Sequence, residues 1–222
     1  GLQHQDGTSH LVAATIPNCR AYDPGFACEL AVIIDHGMRE MMVAQKDVFY
    51  YVTMMNENYA QPDLRAGSEA DIIRGCYYFN SYLPMPELGQ KAEKASSGGR
   101  VTLLGSGAIL TEVIKAAALL AAQGIEAAVF SVTSWSELAR DGAAWQKNAL
   151  SGGETKGQPF IAEQLKTSEG PIIAATDYVR AVPESIRAFL PAGRAYLTLG
   201  TDGFGRSDTR AALREFFGVD AQ

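Results

Sequence analysis

Arg100-Val101-Thr102-Leu103-Leu104-Gly105-Ser106-Gly107-Ala108-Ile109-Leu110 is the stretch on which the fold turns. Five residues rich in β-branched and aliphatic side chains form a short strand, and two glycines around a serine form a tight turn. Ile109 to Gln123 then runs as an Ala/Leu-rich helix that Gly124 stops in the left-handed conformation. The same alternation continues outward. Ala127 to Val132 is a strand, and Ser134-Trp135-Ser136-Glu137 has the form of a capping box opening the next helix. Phe160 to Ala162, Pro171 to Ala175 and Tyr196 to Leu199 are expected strands. Thr176-Asp177 caps an expected helix reaching Leu190, and Ser207 or Asp208 caps one over Thr209 to Phe217. Strand-helix units joined by short loops predict an α/β fold with a mainly parallel sheet covered on both faces.

Toward the N-terminus, Ile16 to Tyr22 is extended, and Asp23-Pro24 is expected to start a helix to about Ala44. Phe26, Leu30, Ile33, Ile34, Met38, Met41 and Met42 fall at three- and four-residue spacings, which predicts a buried face and a methionine cluster in the core. Asp47 to Met55 is an expected strand. Residues 61–98 carry prolines and the tract Lys94-Ala95-Ser96-Ser97-Gly98-Gly99 and read as a linker, within which Gly67 to Gly75 could make helical turns and Cys76 to Phe79 a strand. The domain plan is therefore 1–60, a linker over 61–98, and 99–222. The opening residues read as a loop from inside a longer chain.

Composition narrows the function. Of 222 residues 47% are hydrophobic, the net charge is -6, and no basic run occurs, which argues against nucleic acid and anionic membranes as partners. No apolar run reaches the about 20 residues of a membrane-spanning helix. Three cysteines, Cys19, Cys28 and Cys76, have no metal-site spacing and suggest a reducing, cytoplasmic setting. The Gly105-Ser106-Gly107 turn departs from the dinucleotide fingerprint: Leu110 stands at the third glycine, and no acidic residue closes the next strand, which ends Phe130-Ser131-Val132.

Candidate chemistry centres on His4 and His10, two of the three histidines, in a polar loop with Gln3, Gln5, Asp6, Thr8 and Ser9. Imidazoles titrate near neutrality and serve as acids, bases or hydrogen-bond donors to an oxyanion; as exposed loop residues they would do none of these. His36 sits on a helix beside Asp35 and reads as a surface residue. Gly200 to Asp208 is expected to be a structural loop in which Arg206 is hydrogen-bonded or salt-bridged, and Asn56-Glu57-Asn58 also follows a strand. Trp135 and Trp145 read as core.

Several of these motifs, in order, resemble one family. Gly1 to Gly7, Ile16 to Cys19 with Tyr22-Asp23-Pro24, Asn56 to Tyr59, Leu104 to Gly107, Ser131 to Ser134 with Glu137 to Gly142, and Gly200 to Asp208 are similar to the C-terminal part of the homodimeric bacterial pyruvate dehydrogenases of the transketolase-like superfamily. The resemblance implies the end of a pyrimidine-binding domain followed by a transketolase-type C-terminal domain. It implies pyruvate as substrate, thiamine diphosphate and magnesium as cofactors, a lipoyl-bearing acyltransferase as partner, and a homodimer. His4 corresponds to the active-site histidine facing the cofactor-bound substrate; His10 lies in the same loop. Asn56 stands where transketolases carry an arginine for a sugar phosphate, which favours a small oxo acid. The family's Gly-Asp-Gly cofactor motif does not occur here, so the fragment alone is expected to neither bind cofactor well nor turn over. The alternative is a non-catalytic dimerisation or assembly role.

Overall fold

In the computed structural model, described for residues 6–84, 99–153 and 157–222, two sheets are joined along a seam. The larger has five strands: β3 (Cys76–Tyr82), β4 (Arg100–Gly105), β5 (Glu126–Val132), β6 (Ile172–Ala175) and β7 (Tyr196–Leu199), in the order β3-β5-β4-β6-β7. Every neighbouring pair is parallel except β3 with β5, so the expected mainly parallel α/β sheet is present with an antiparallel edge. Alternation along the strands divides the core. Val101, Leu103, Ala127 and Val129 face α4 (Ile109–Ala122), while Leu104, Phe130, Val132, Ile172 and Ala174 face α5 (Trp135–Leu150) and α6 (Phe160–Leu165).

The smaller sheet pairs β1 (Cys19–Tyr22) with β2 (Phe49–Val52) in parallel. It is flanked by α1 (Ser9–Ala14) and α2 (Ala27–Met38), and α2 continues as one π-helical turn over Arg39–Val43. Glu29 is fully buried and joins the two units. Its carboxylate accepts from the N–H groups of Gly25 (2.6 Å) and Phe26 (3.1 Å), from Tyr77 Oη (2.8 Å) on β3 and from Ser131 Oγ (2.6 Å) on β5. Asp23 N–H donates to the Thr133 carbonyl (2.8 Å), and Arg140 Nη1 donates to the Cys19 carbonyl (2.6 Å).

Several local expectations give way to tertiary contacts. The α2 helix begins at Ala27 because Glu29 closes its first turn; Asp23 turns inward instead of capping it. Its buried stripe is Glu29, Ile33 and Gly37, and Met38 and Met42 are 57% and 73% exposed, so the methionines are not core. Ser134 does cap α5, accepting from Glu137 N–H (3.1 Å), but the Glu137 carboxylate binds Arg20 and Arg140 instead of closing a capping box. Phe160 to Ala162 is the start of α6, opened where Phe160 N–H donates to Asp141 Oδ2 (2.6 Å); a three-residue apolar run has no period to distinguish strand from helix. The expected helix to Leu190 is reduced to α7 (Ala181–Glu184) and a 3-10 turn, Arg187–Phe189. Thr209 caps α8 (Arg210–Phe217) by accepting from Ala212 N–H (3.3 Å). Trp145 is only partly buried, its indole N–H donating to the Gly157 carbonyl (3.2 Å). Within the segment 61–98 the expected helical turns and strand are present as α3 (Glu69–Arg74) and β3, the strand running on to Tyr82; the tract 85–98 lies outside the described residues.

Candidate active site

The loop leading into α1 is held at both ends. The Asp6 carboxylate accepts from Ser9 N–H (3.0 Å) and Ser9 Oγ (2.6 Å), which steadies the first helical turn, and the Gly7 carbonyl accepts from Val179 N–H (3.0 Å) beyond β6. His4 lies outside the described residues. His10 is placed clearly: 6% exposed, it sits with the edges of Tyr178 and Tyr51 at ring-centroid distances of 4.5 and 5.5 Å. Its Nε2 is 2.9 Å from Thr53 Oγ1. Burial pushes the imidazole down to about 4, opposed by the Asp6 charge, so His10 is neutral at physiological pH. It is a buried group and not an exposed loop histidine.

Behind Thr53 lies Asp23. Thr53 Oγ1 donates to Asp23 Oδ1 (2.8 Å), while Asp23 Oδ2 is buried with no hydrogen-bond partner among the described residues. Burial raises this carboxyl to about 7, and the charges of Asp177 and Glu29 add to the rise. The Asp23 carbonyl accepts from Gly107 N–H (3.0 Å), and a Cβ on Gly107 would stand 2.5 Å from Oδ2. The Gly105-Ser106-Gly107 turn therefore serves close packing against a carboxylate, not a phosphate.

Two loops singled out in the sequence meet nearby. Asn56 accepts from Arg210 through Oδ1, and Glu57 binds Arg214 through both carboxylate oxygens, with Nη1 to Oε1 at 3.1 Å. Arg214 also reaches Glu112 Oε1 (3.2 Å). Arg210 and Arg214 border a cavity of about 260 Å³ lined also by Asp6, Met55, Asp177, Thr201 and Arg206. Burial raises Asp177 to about 6, with Arg214 opposing. Among the described residues Arg206 shows no hydrogen bond or salt bridge, the contact expected of it; its guanidinium lies over the Phe216 ring at 5.4 Å. Asp202, earlier in the same loop, carries the structural role, pairing with Arg180 Nε (2.6 Å) and Arg180 N–H (2.8 Å). His36 stays at the helix surface, 3.8 Å from Glu40. Among the described residues no group of three or more His, Cys, Asp or Glu side chains could hold a metal ion.

Residues 90–220, more than half of the chain, match the family model described as the transketolase-like TK C-terminal domain. The chain belongs to this transketolase-like family. Residues 1–62 match the pyruvate dehydrogenase E1 component middle domain. Over 222 residues the chain is 50% identical to the pyruvate dehydrogenase E1 component of Cupriavidus necator, covering 99% of this chain and 24% of that protein. It is 44% identical over 224 residues to the E1 component of Escherichia coli (strain K12), covering 100% of this chain and 24% of that protein. The chain thus spans about a quarter of the length of these relatives and corresponds to a C-terminal portion of them. Among solved structures, transketolase from Campylobacter jejuni aligns with a TM-score of 0.63 at 15% identity, and transketolase from Leishmania mexicana with 0.60 at 17%. Each covers the whole of this chain and about a quarter of the other, 27% and 26%. At such identities the likeness is one of fold, and it agrees with the transketolase-type architecture read from the sequence.

Sequence reasoning missed Asp23, Thr53 and Tyr178 as partners of His10. Asp23 read as a helix cap, and nothing in the sequence spacing joins positions 10, 23, 53 and 178. An acid followed by proline at the end of a strand was the one available sign that Asp23 is unusual.

Proposed function

We propose that this chain is part of a subunit that oxidatively decarboxylates pyruvate and passes the acetyl group to a lipoyl group on a partner acyltransferase. The observation that carries this reading is 50% identity to a pyruvate dehydrogenase E1 component across 99% of the chain. Thiamine diphosphate and magnesium are assigned to a part of the subunit outside this chain, since the family's Gly-Asp-Gly motif does not occur in this sequence. The subunit is proposed to be a cytoplasmic homodimer.

What this chain contributes in that reading is the histidine loop. His4 donates a hydrogen bond or a proton to the oxygen of the reacting oxo acid, an effect worth about 10²- to 10⁴-fold in rate. His10, neutral and buried behind the loop, acts from the protein side. Asn56 is itself uncharged at the place where transketolases carry an arginine for a sugar phosphate, which suits a small oxo acid; its Oδ1 accepts from Arg210.

A second reading, assembly without chemistry, is favoured by the apolar residues that the first unit leaves exposed: Ile34, Met38, Met42, Val43 and Phe49. One experiment separates them. In the complete subunit His4→Ala is expected to lower kcat by about 10²-fold or more with little change in cofactor affinity, and His10→Ala to lower it less. Wild-type rates in both variants would leave the assembly reading standing.

A further inference from the structure

Three polar side chains far apart in sequence stand in a line across the seam. His10 Nε2 is 2.9 Å from Thr53 Oγ1, and that hydroxyl is 2.8 Å from Asp23 Oδ1. Both ends of the line are 6% exposed. A hydroxyl has one proton to give; the Tyr22 carbonyl lies 3.4 Å from the same Oγ1, longer than the contacts to His10 and Asp23, so along the line Thr53 donates to one of these two and accepts from the other. Two arrangements satisfy this. With Asp23 ionised, Thr53 donates to Oδ1, His10 donates its Nε2–H to Thr53, and the ring lone pair is on Nδ1. With Asp23 protonated on Oδ1, the carboxyl donates to Thr53, Thr53 donates to Nε2, and the ring proton is on Nδ1.

We propose that Asp23 is a positioning residue that sets, through Thr53, which ring nitrogen of His10 carries the proton, so that loss of one proton from the pair and the change of ring tautomer are a single event. When Nδ1 gives its proton to water, the Thr53 hydroxyl proton moves to Nε2 and the Asp23 proton moves to the Thr53 oxygen. Asp23 ends as a carboxylate, and the imidazole stays neutral throughout.

The surroundings support a neutral pair. Burial lowers His10 to about 4 and raises Asp23 to about 7, each against its charged form. The groups facing His10 are Asp6 from the preceding loop, Tyr51 from β2 and Tyr178 after β6. Those facing Asp23 are Glu29 from α2, Asp177 and Tyr178 after β6 and Tyr59 after β2; the two acids favour keeping its proton on, and the Ser106 hydroxyl opposes them. Gly107 N–H donates to the Asp23 main-chain carbonyl and not to the carboxylate. No cation is among these groups.

That this proton serves turnover rests on reading the histidine loop as acid-base machinery; the link between Asp23 and the ring tautomer does not. The test is long-range proton–nitrogen correlation NMR on the 222-residue chain labelled with ¹⁵N at histidine, with His10 assigned by His10→Gln. The ring is expected to remain neutral between about pH 5 and 8, and its proton to move from Nδ1 to Nε2 as pH rises through the titration of Asp23 near 7. Thr53→Ser should keep the exchange, and Thr53→Val and Asp23→Asn should leave one tautomer at every pH. A ring that becomes imidazolium in this range, one tautomer throughout in the wild type, or an exchange that survives Asp23→Asn would overturn the proposal. If Asp23→Asn does not fold, the contrast of Thr53→Ser with Thr53→Val decides. A tautomer exchange in the chain with a kcat pH profile of the complete subunit indifferent to Thr53→Val would keep the link between Asp23 and the tautomer and remove its catalytic use.

Discussion

The two units treat hydrophobic surface in opposite ways. The five-stranded sheet is covered on both faces: Leu104, Phe130, Leu138, Ile161 and Ile172 fill one layer, and Ile109, Leu110, Ala117 and Val129 the other, each at most 1% exposed. The two-stranded sheet has a small core around Tyr22, Ile33, Ile72 and Tyr77, part of which is borrowed from α3 and β3 of the other unit. Its α2 helix turns Ile34 and Met38 to the outside. A two-stranded sheet is marginal by itself, and here it is held by the buried polar contacts of Glu29, Asp23 and Arg140. The closed unit is a scaffold, and the dependent one carries the Asp23-Thr53-His10 line at the seam.

The sharpest way to break this comparison is a large-to-small change in the closed layer. Leu104→Ala removes a side chain with 0% exposure and is expected to cost about 2–5 kcal/mol by denaturant unfolding. A loss below about 1 kcal/mol would mean that this layer collapses around the gap and is not the scaffold. Next comes the seam. Glu29→Gln keeps the size of the side chain but presents an amide to four donors, and about 1–3 kcal/mol is expected to be lost. Proteolysis or hydrogen exchange should show the loss concentrated in residues 19–52. Equal loosening of both sheets would argue against a dependent first unit.

A smaller effect concerns pH. Burial depresses His10 from 6.5 to about 4 in the folded state, so its contribution is full above about 6.5 and falls as pH drops toward 4. Burial raises Asp23 from 3.8 to about 7, so its contribution is full below about 3.8 and falls as pH climbs toward 7. Between about pH 4 and 6.5 the two slopes oppose, and the pair contributes little net pH dependence. Asp23→Asn removes one arm: relative to wild type, its stability should fall on acidification through that window by up to about 1.4 kcal/mol per pH unit. A difference that stays flat would separate the two groups. The smallest effect is expected at Met42→Ser. The side chain is 73% exposed, and the change should stay within about 0.5 kcal/mol in the isolated chain; a larger loss would place Met42 in a core and make the two units alike.

Legibility followed the range of the interaction. The alternation in Val101-Thr102-Leu103-Leu104 and the Gly124 stop are local, and Gly124 indeed has φ +84. The Phe160 to Ala162 run failed as a strand because the deciding bond comes from Asp141, nineteen residues earlier. Arg206 failed as a salt bridge because the loop's acid, Asp202, pairs with Arg180, twenty-two residues before it. Of the candidate site, the sequence pointed to the loop and its two histidines. The position of His4 lies outside the described residues, and the burial of His10 was not foreseen.

By itself the sequence determined the parallel α/β architecture, the transketolase-type family and the motifs that carry it, because strand and helix periods and turn residues act within a few positions of one another. The tertiary structure alone decided that Glu29 joins the two units, that α2 leaves its methionines outside, and that Asp23, Thr53 and His10 form one line. Each of these depends on which side chains meet across 30 to about 100 residues of chain, where desolvation and hydrogen-bond partners are set by packing and no local period records them.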